Sequence, residues 1–264
     1  MTSEQIINTI VPYCERLSNG DEPFNTITNT AFLLVAAYNW YRLRQIKPEL
    51  AGSGLAASKT RFNLMIFVSC ALPAMIGIGS ALFHATPSTL THMLDIVPVC
   101  LFALGSLLLL LSNKAWSVRS ISMLMVMWLS ATAIAAQWPE VLAHSLFYLP
   151  TVLVLLFLAL VFNPAAASHS LRKCSRQEKR LLILSATTFT TALLFRATDL
   201  PSCIPWSQAN SSLAPPASSE LFTGVAGTLG THFLWHLLTA LVCYLIAGLL
   251  IASYKNPALT QQAG

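Results

Sequence analysis

Two histidines four residues apart, His232 and His236, open the last apolar run of the chain. A third, His84, closes an earlier apolar run, four residues after Ser80. Asp95 follows eleven residues beyond His84. Residues four apart share one face of a helix, so His232 pairs with His236 and Ser80 with His84. Neutral imidazole suits zinc, and three protein ligands with a fourth position left to water form the catalytic arrangement. Asp95 has the chemistry to move a proton and Ser80 to donate to a developing oxyanion. A single histidine in an apolar helix reads as a hydrogen-bonded structural residue. A pair at helical spacing reads as two ligands. Ser80 alone reads as a small packing residue beside Gly77 and Gly79. Asp95 resists a structural reading, because a carboxylate in an apolar helix is costly. His92, one turn before Asp95, is a spare polar residue.

The elements carrying these residues are long and apolar. Of 264 residues, 55% are hydrophobic and 9% charged, with a mean hydropathy of +0.64. Soluble domains carry about 25% charged residues, so this is the composition of a polytopic membrane protein. Seven apolar segments, at about 26–45, 62–83, 93–111, 118–137, 142–162, 180–197 and 232–252, predict an all-α bundle of seven transmembrane helices. Residues 1–25 form an N-terminal tail without the apolar core of a signal peptide, 26–254 the helical domain, and 255–264 a C-terminal tail. All fifteen Lys and Arg except Arg16 and Arg196 fall in alternate inter-helix segments. That bias predicts an outside N-terminus and a cytoplasmic C-terminus. The net charge of +5 is therefore topological, and no nucleic acid is expected. With that orientation Ser80, His84, Asp95, His232 and His236 all fall in the outer half of the membrane.

Weaker signals surround this set. Asn25 and Asn29, also four apart, either line the site or bond between helices. Arg196 and Asp199 read as an ion pair at the outer end of the sixth segment. The Ser-, Pro- and Ala-rich stretch from about 198 to 231 reads as an irregular cap. Cys70, Cys100 and Cys243 read as packing residues.

Together these residues resemble the alkaline ceramidase family, within a superfamily of seven-helix zinc-dependent membrane hydrolases. The resemblance is carried by Cys14-Glu15, by Glu22 with Asn25-Thr-Ile-Thr-Asn29, by Gly77-Ile-Gly79-Ser80-Ala-Leu-Phe-His84, by Asp95, by Asp199-Leu-Pro-Ser-Cys203, and by His232-Phe-Leu-Trp-His236. They run in family order over nearly the whole chain. The resemblance implies zinc at His84, His232 and His236, Asp95 and Ser80 at the water, and a Cys14–Cys203 disulfide between two outside segments. It implies hydrolysis of the N-acyl bond of ceramide or a ceramide-like lipid entering from the bilayer. An ester hydrolase or lipid-remodelling enzyme on the same zinc site, and a seven-helix lipid-sensing receptor, are the alternatives. Animal members add a calcium site in the tail. Here Pro12 and Leu17 replace two of its positions, Glu15 and Glu22 remain, and Asn19 and Asp21 offer further oxygens. The other reading of these four is a solvated acidic tail. The short loops and reduced calcium motif favour a bacterial inner membrane.

The disulfide expectation is checked by alkylation of the denatured, unreduced protein. Four of the six cysteines are expected to react; six reactive thiols would exclude the bridge.

Overall fold

The computed structural model describes residues 13–15, 22–46, 55–114, 116–138, 145–165, 174–209 and 230–255, with the side chains of 55–58 and 200–209 outside that description. The architecture is helical, with no strand among the described residues. Its helices are α1 (Pro23–Thr28), α2 (Thr30–Arg44), α3 (Leu55–Ile66), α4 (Leu72–Ala85), α5 (Thr89–Asn113), α6 (Val118–Ala135), α7 (Leu149–Val161), α8 (Arg176–Ala209) and α9 (His232–Tyr254). A five-residue π-helical segment, Phe67–Ala71, joins α3 to α4.

Each apolar segment foreseen from sequence coincides with helix. Five helical stretches among the described residues are long and apolar enough to cross a membrane: Lys59–Ala85, Thr89–Asn113, Val118–Ala135, Arg176–Asp199 and His232–Tyr254. Leu146–Val161 is a shorter apolar helix, and α2 has 15 residues. Many large apolar side chains point outward, Leu34, Leu160 and Val118 among them. In water such a surface would aggregate; in lipid it is the ordinary outer face.

Three local details depart from the sequence reading. The first segment breaks at Asn29 into α1 and α2. Helix α8 runs through Pro201 and Pro205 to Ala209, so the start of the expected irregular cap is helical. The third is the π-helical segment, and Pro73 supplies its physical reason. Proline has no N–H to give the carbonyl four residues earlier, that of Ser69. The buried Asn39 side chain of α2 donates Nδ2–H to that carbonyl at 3.0 Å. A helix distortion is thereby satisfied from a neighbouring helix.

Helix α4 is central to the end of the bundle that carries His84. Gly77 and Gly79 lie about 200° apart around its axis, so they face different neighbours. A Cβ on Gly77 would lie 2.9 Å from the Asn29 carbonyl oxygen, and one on Gly79 would lie 2.0 Å from the Leu94 carbonyl oxygen. Pro98 sits four residues after Leu94 and cannot use that carbonyl. The freed carbonyl faces Gly79, and α4 packs there directly on the α5 backbone at Asp95.

Removing the Asn39 donor should leave the Ser69 carbonyl buried and unpaired. Asn39→Leu is expected to destabilise the protein by about 1–3 kcal/mol, read as a lower thermal midpoint in detergent.

Candidate metal centre

Helices α4 and α9 bring His84, His232 and His236 together. All three are buried, and one nitrogen from each lies within 4.8 Å of the others. Ring centroids are separated by 5.2 Å (His84–His232), 4.8 Å (His84–His236) and 4.6 Å (His232–His236). The Nε2 atoms of His232 and His236 face each other at 3.1 Å.

The outer partners of these rings decide which nitrogens face inward. His84 Nδ1 lies 2.5 Å from Glu22 Oε2. His236 Nδ1 lies 3.0 Å from the Asn25 carbonyl oxygen and 3.2 Å from Thr28 Oγ1. An oxygen acceptor places the proton on Nδ1 and leaves the Nε2 lone pair for a metal. His232 is oriented otherwise. The Tyr13 ring stacks on it at 3.9 Å, and its Nδ1 has no hydrogen-bond partner among the described residues. Imidazole nitrogens turned towards one another in this way suit a divalent cation, and three neutral nitrogens suit zinc.

The acceptors are themselves held. Asn29 Nδ2 donates to the Asn25 carbonyl at 2.7 Å, and Asn25 Nδ2 to Glu22 Oε2 at 2.9 Å. Glu15 accepts from the backbone N–H groups of Phe24 at 2.7 Å and Asn25 at 2.9 Å, and so closes the start of α1. Burial pushes the Glu15 carboxyl up from its ordinary pKa. Asp199 performs the equivalent service for α9. Its Oδ1 accepts from Thr231 N at 2.7 Å and His232 N at 2.8 Å, and its Oδ2 from Cys14 N at 3.0 Å. Gly230, at φ 68°, turns the chain into that cap; a Cβ there would lie 2.2 Å from Asp199 Oδ1.

Ser80 is buried on α4, and its side chain hydrogen-bonds to the Asp95 carboxylate across the Gly79 contact. His92 packs against Phe83, the two rings tilted by 38° with centroids 5.1 Å apart. Glu15 and Glu22, foreseen as calcium oxygens, bond to the start of α1 and to His84; Asn19 and Asp21 lie outside the described residues. Cys70, Cys100, Cys174 and Cys243 form no disulfide. Cys14 is buried and is not among these, and the side chain of Cys203 lies outside the described residues. The sequence reading missed Tyr13 against His232 and offered Glu22 to calcium where the fold sets it against His84. Neither has a local signal, because each meets its histidine from far along the chain.

Further along α4 and α9 from the histidines lies an apolar cavity. Ile76, Phe102, Trp128, Tyr148, Phe189 and Val242 are among its walls. Fold and site together define a helical membrane protein with a buried three-histidine centre and an apolar cavity. The family model described as Ceramidase matches residues 16–262. The chain belongs to that family. No curated protein gave a match. Family membership carries with it a hydrolase of ceramide-type amide bonds, a lipid substrate and association with membranes.

If Glu22 sets the His84 tautomer, Glu22→Gln should weaken metal affinity by about 10–100-fold. Chelator competition on the purified protein measures this. Unchanged affinity would remove Glu22 from the centre.

Proposed function

We propose that this chain is an intramembrane zinc-dependent amidase that cleaves the N-acyl bond of ceramide or a ceramide-like lipid. The observation that carries the reading is the buried His84–His232–His236 group on α4 and α9, with Ser80 on α4 and Asp95 on the adjoining α5. These histidines would hold the zinc, which when bound supplies a Lewis acid and lowers the pKa of water at its open position. Asp95 takes the proton from the attacking water as its oxygen bonds to the carbonyl carbon. Ser80 donates to the carbonyl oxygen while it gains charge. The C–N bond then breaks, and Asp95 passes the proton to the leaving amine. A fatty acid and a long-chain amine result. The apolar cavity suits an acyl chain entering from the bilayer.

In this reading seven helices span the membrane, α2 and α7 being the two short ones. The N-terminus is outside and the C-terminus cytoplasmic, as the basic residues dictate. The Cys14–Cys203 bridge ties the tail to the segment after α8. A bacterial inner membrane is the proposed location.

Metal analysis should find about one zinc per chain, as three histidines and one open position require. His84→Ala and His236→Ala should each lose it; zinc at full occupancy in both would falsify the ligand set. Asp95→Asn should keep the zinc and lower ceramide hydrolysis by about 10²–10⁴-fold. A panel of N-acyl and ester lipids separates the amidase from its alternatives: turnover of esters alone, or of nothing, would sink it.

A further inference from the structure

Arg196 occupies a place that the hydrolytic scheme does not use. It lies within a membrane-spanning stretch of α8, yet its side chain is turned inward and buried. Three rings enclose its guanidinium, with centroids 5.7 Å (Tyr13), 5.2 Å (Tyr148) and 5.3 Å (Trp235) away. The box joins two regions. Tyr13 stacks on His232, and Tyr148 is part of the cavity wall. Arg196 therefore stands between the histidines and the cavity, and its charge acts on Asp95.

The guanidinium's hydrogen bonding is incomplete. Nη2 donates to the Tyr13 hydroxyl at 3.2 Å, a neutral acceptor, and Nε has no hydrogen-bond partner among the described residues. Arginine stays protonated in proteins, and a charge at membrane depth marks a function. With its faces covered by rings, the fork can offer a ligand only its edge. Parallel N–H groups along an edge match a planar carboxylate.

We propose that Arg196 is a carboxylate-binding residue for the lipid that occupies the cavity. This rests on the amidase reading for the source of the carboxylate. Hydrolysis turns a neutral amide carbonyl into a carboxylate at each turnover, so the released fatty acid is one source. An acidic group on the amine half of the substrate, as in an N-acyl amino acid, is the other. In both, a negative oxygen sits beside the guanidinium edge while the apolar chain fills the cavity.

The experiment compares equilibrium binding of palmitate and of hexadecanol to the zinc-loaded protein in detergent, by calorimetry. Wild type should prefer the acid by about tenfold or more, the ratio a charge-assisted hydrogen-bonded pair supplies. Arg196→Gln should remove most of that preference, and Arg196→Lys should keep part of it. An acid-to-alcohol ratio near one in wild type, or a ratio unchanged in Arg196→Gln, overturns the proposal. Where the Gln variant fails to fold, an unchanged ratio in Arg196→Lys does so. Two kinetic arms separate the sources. If the substrate carries the acid, Arg196→Gln lowers kcat/KM for N-palmitoylglycine by a clearly larger factor than for ceramide. If the product does, it relieves palmitate inhibition of ceramide turnover. Binding is read without turnover, so absent ceramide hydrolysis would sink the amidase reading and not this one.

Discussion

Two hydrogen bonds to histidine Nδ1 atoms hold the centre in its working form. One runs from His84 to the Glu22 carboxylate, the other from His236 to the Asn25 carbonyl. Both acceptors belong to a six-residue helix and the residue before it. A helix that short has little stability of its own. It persists because Glu15 closes its start and because Asn25 and Asn29 tie its backbone and side chains together. The histidine tautomers thus depend on a chain segment that contributes no histidine itself.

The same economy of parts applies to α4. Its two glycines admit one neighbour each, and two residues after them, Ser80 and His84, face the site. Pro98 adds to this by leaving the Leu94 carbonyl without its helical donor at the contact with Gly79. Small residues and a proline, which in a soluble helix would be weaknesses, here set the distance between Ser80 and Asp95.

Most of this centre was visible in the order and spacing of residues. His232 and His236 declare themselves by helical spacing, His84 by its depth once the basic loops orient the chain, and Asp95 by its cost in lipid. Helix positions were legible for the same reason: apolar length is a strong signal. What escaped was the set of contacts between distant residues. Glu22 reads as a calcium oxygen or an acidic tail residue until the tail folds onto His84, 62 positions away. Arg196 and Asp199 read as a simple ion pair because they are three apart. In the fold Asp199 caps the start of α9 through backbone N–H groups, with the Arg196 charge nearby, while the guanidinium itself enters an aromatic box. The helical extension of α8 past Pro201 was hidden because proline-rich sequence argues for a break.

The seam at Gly79 also bears on how firmly two helices stay paired. Helices α4 and α5 meet backbone to backbone there, and they form one of its two most extensive pairs, the other being α8 with α9. Parting α4 from α5 would expose the Leu94 carbonyl, which Pro98 leaves without a helical donor. Among the described residues, helix α6 packs chiefly on α5, on α7 and on the turn Leu146–Tyr148 before α7. Yet Trp128 and Thr132 of this helix form part of the cavity wall. The cavity wall is thus shared between the closely packed helices α4, α5, α8 and α9 and a helix with fewer neighbours among the described residues.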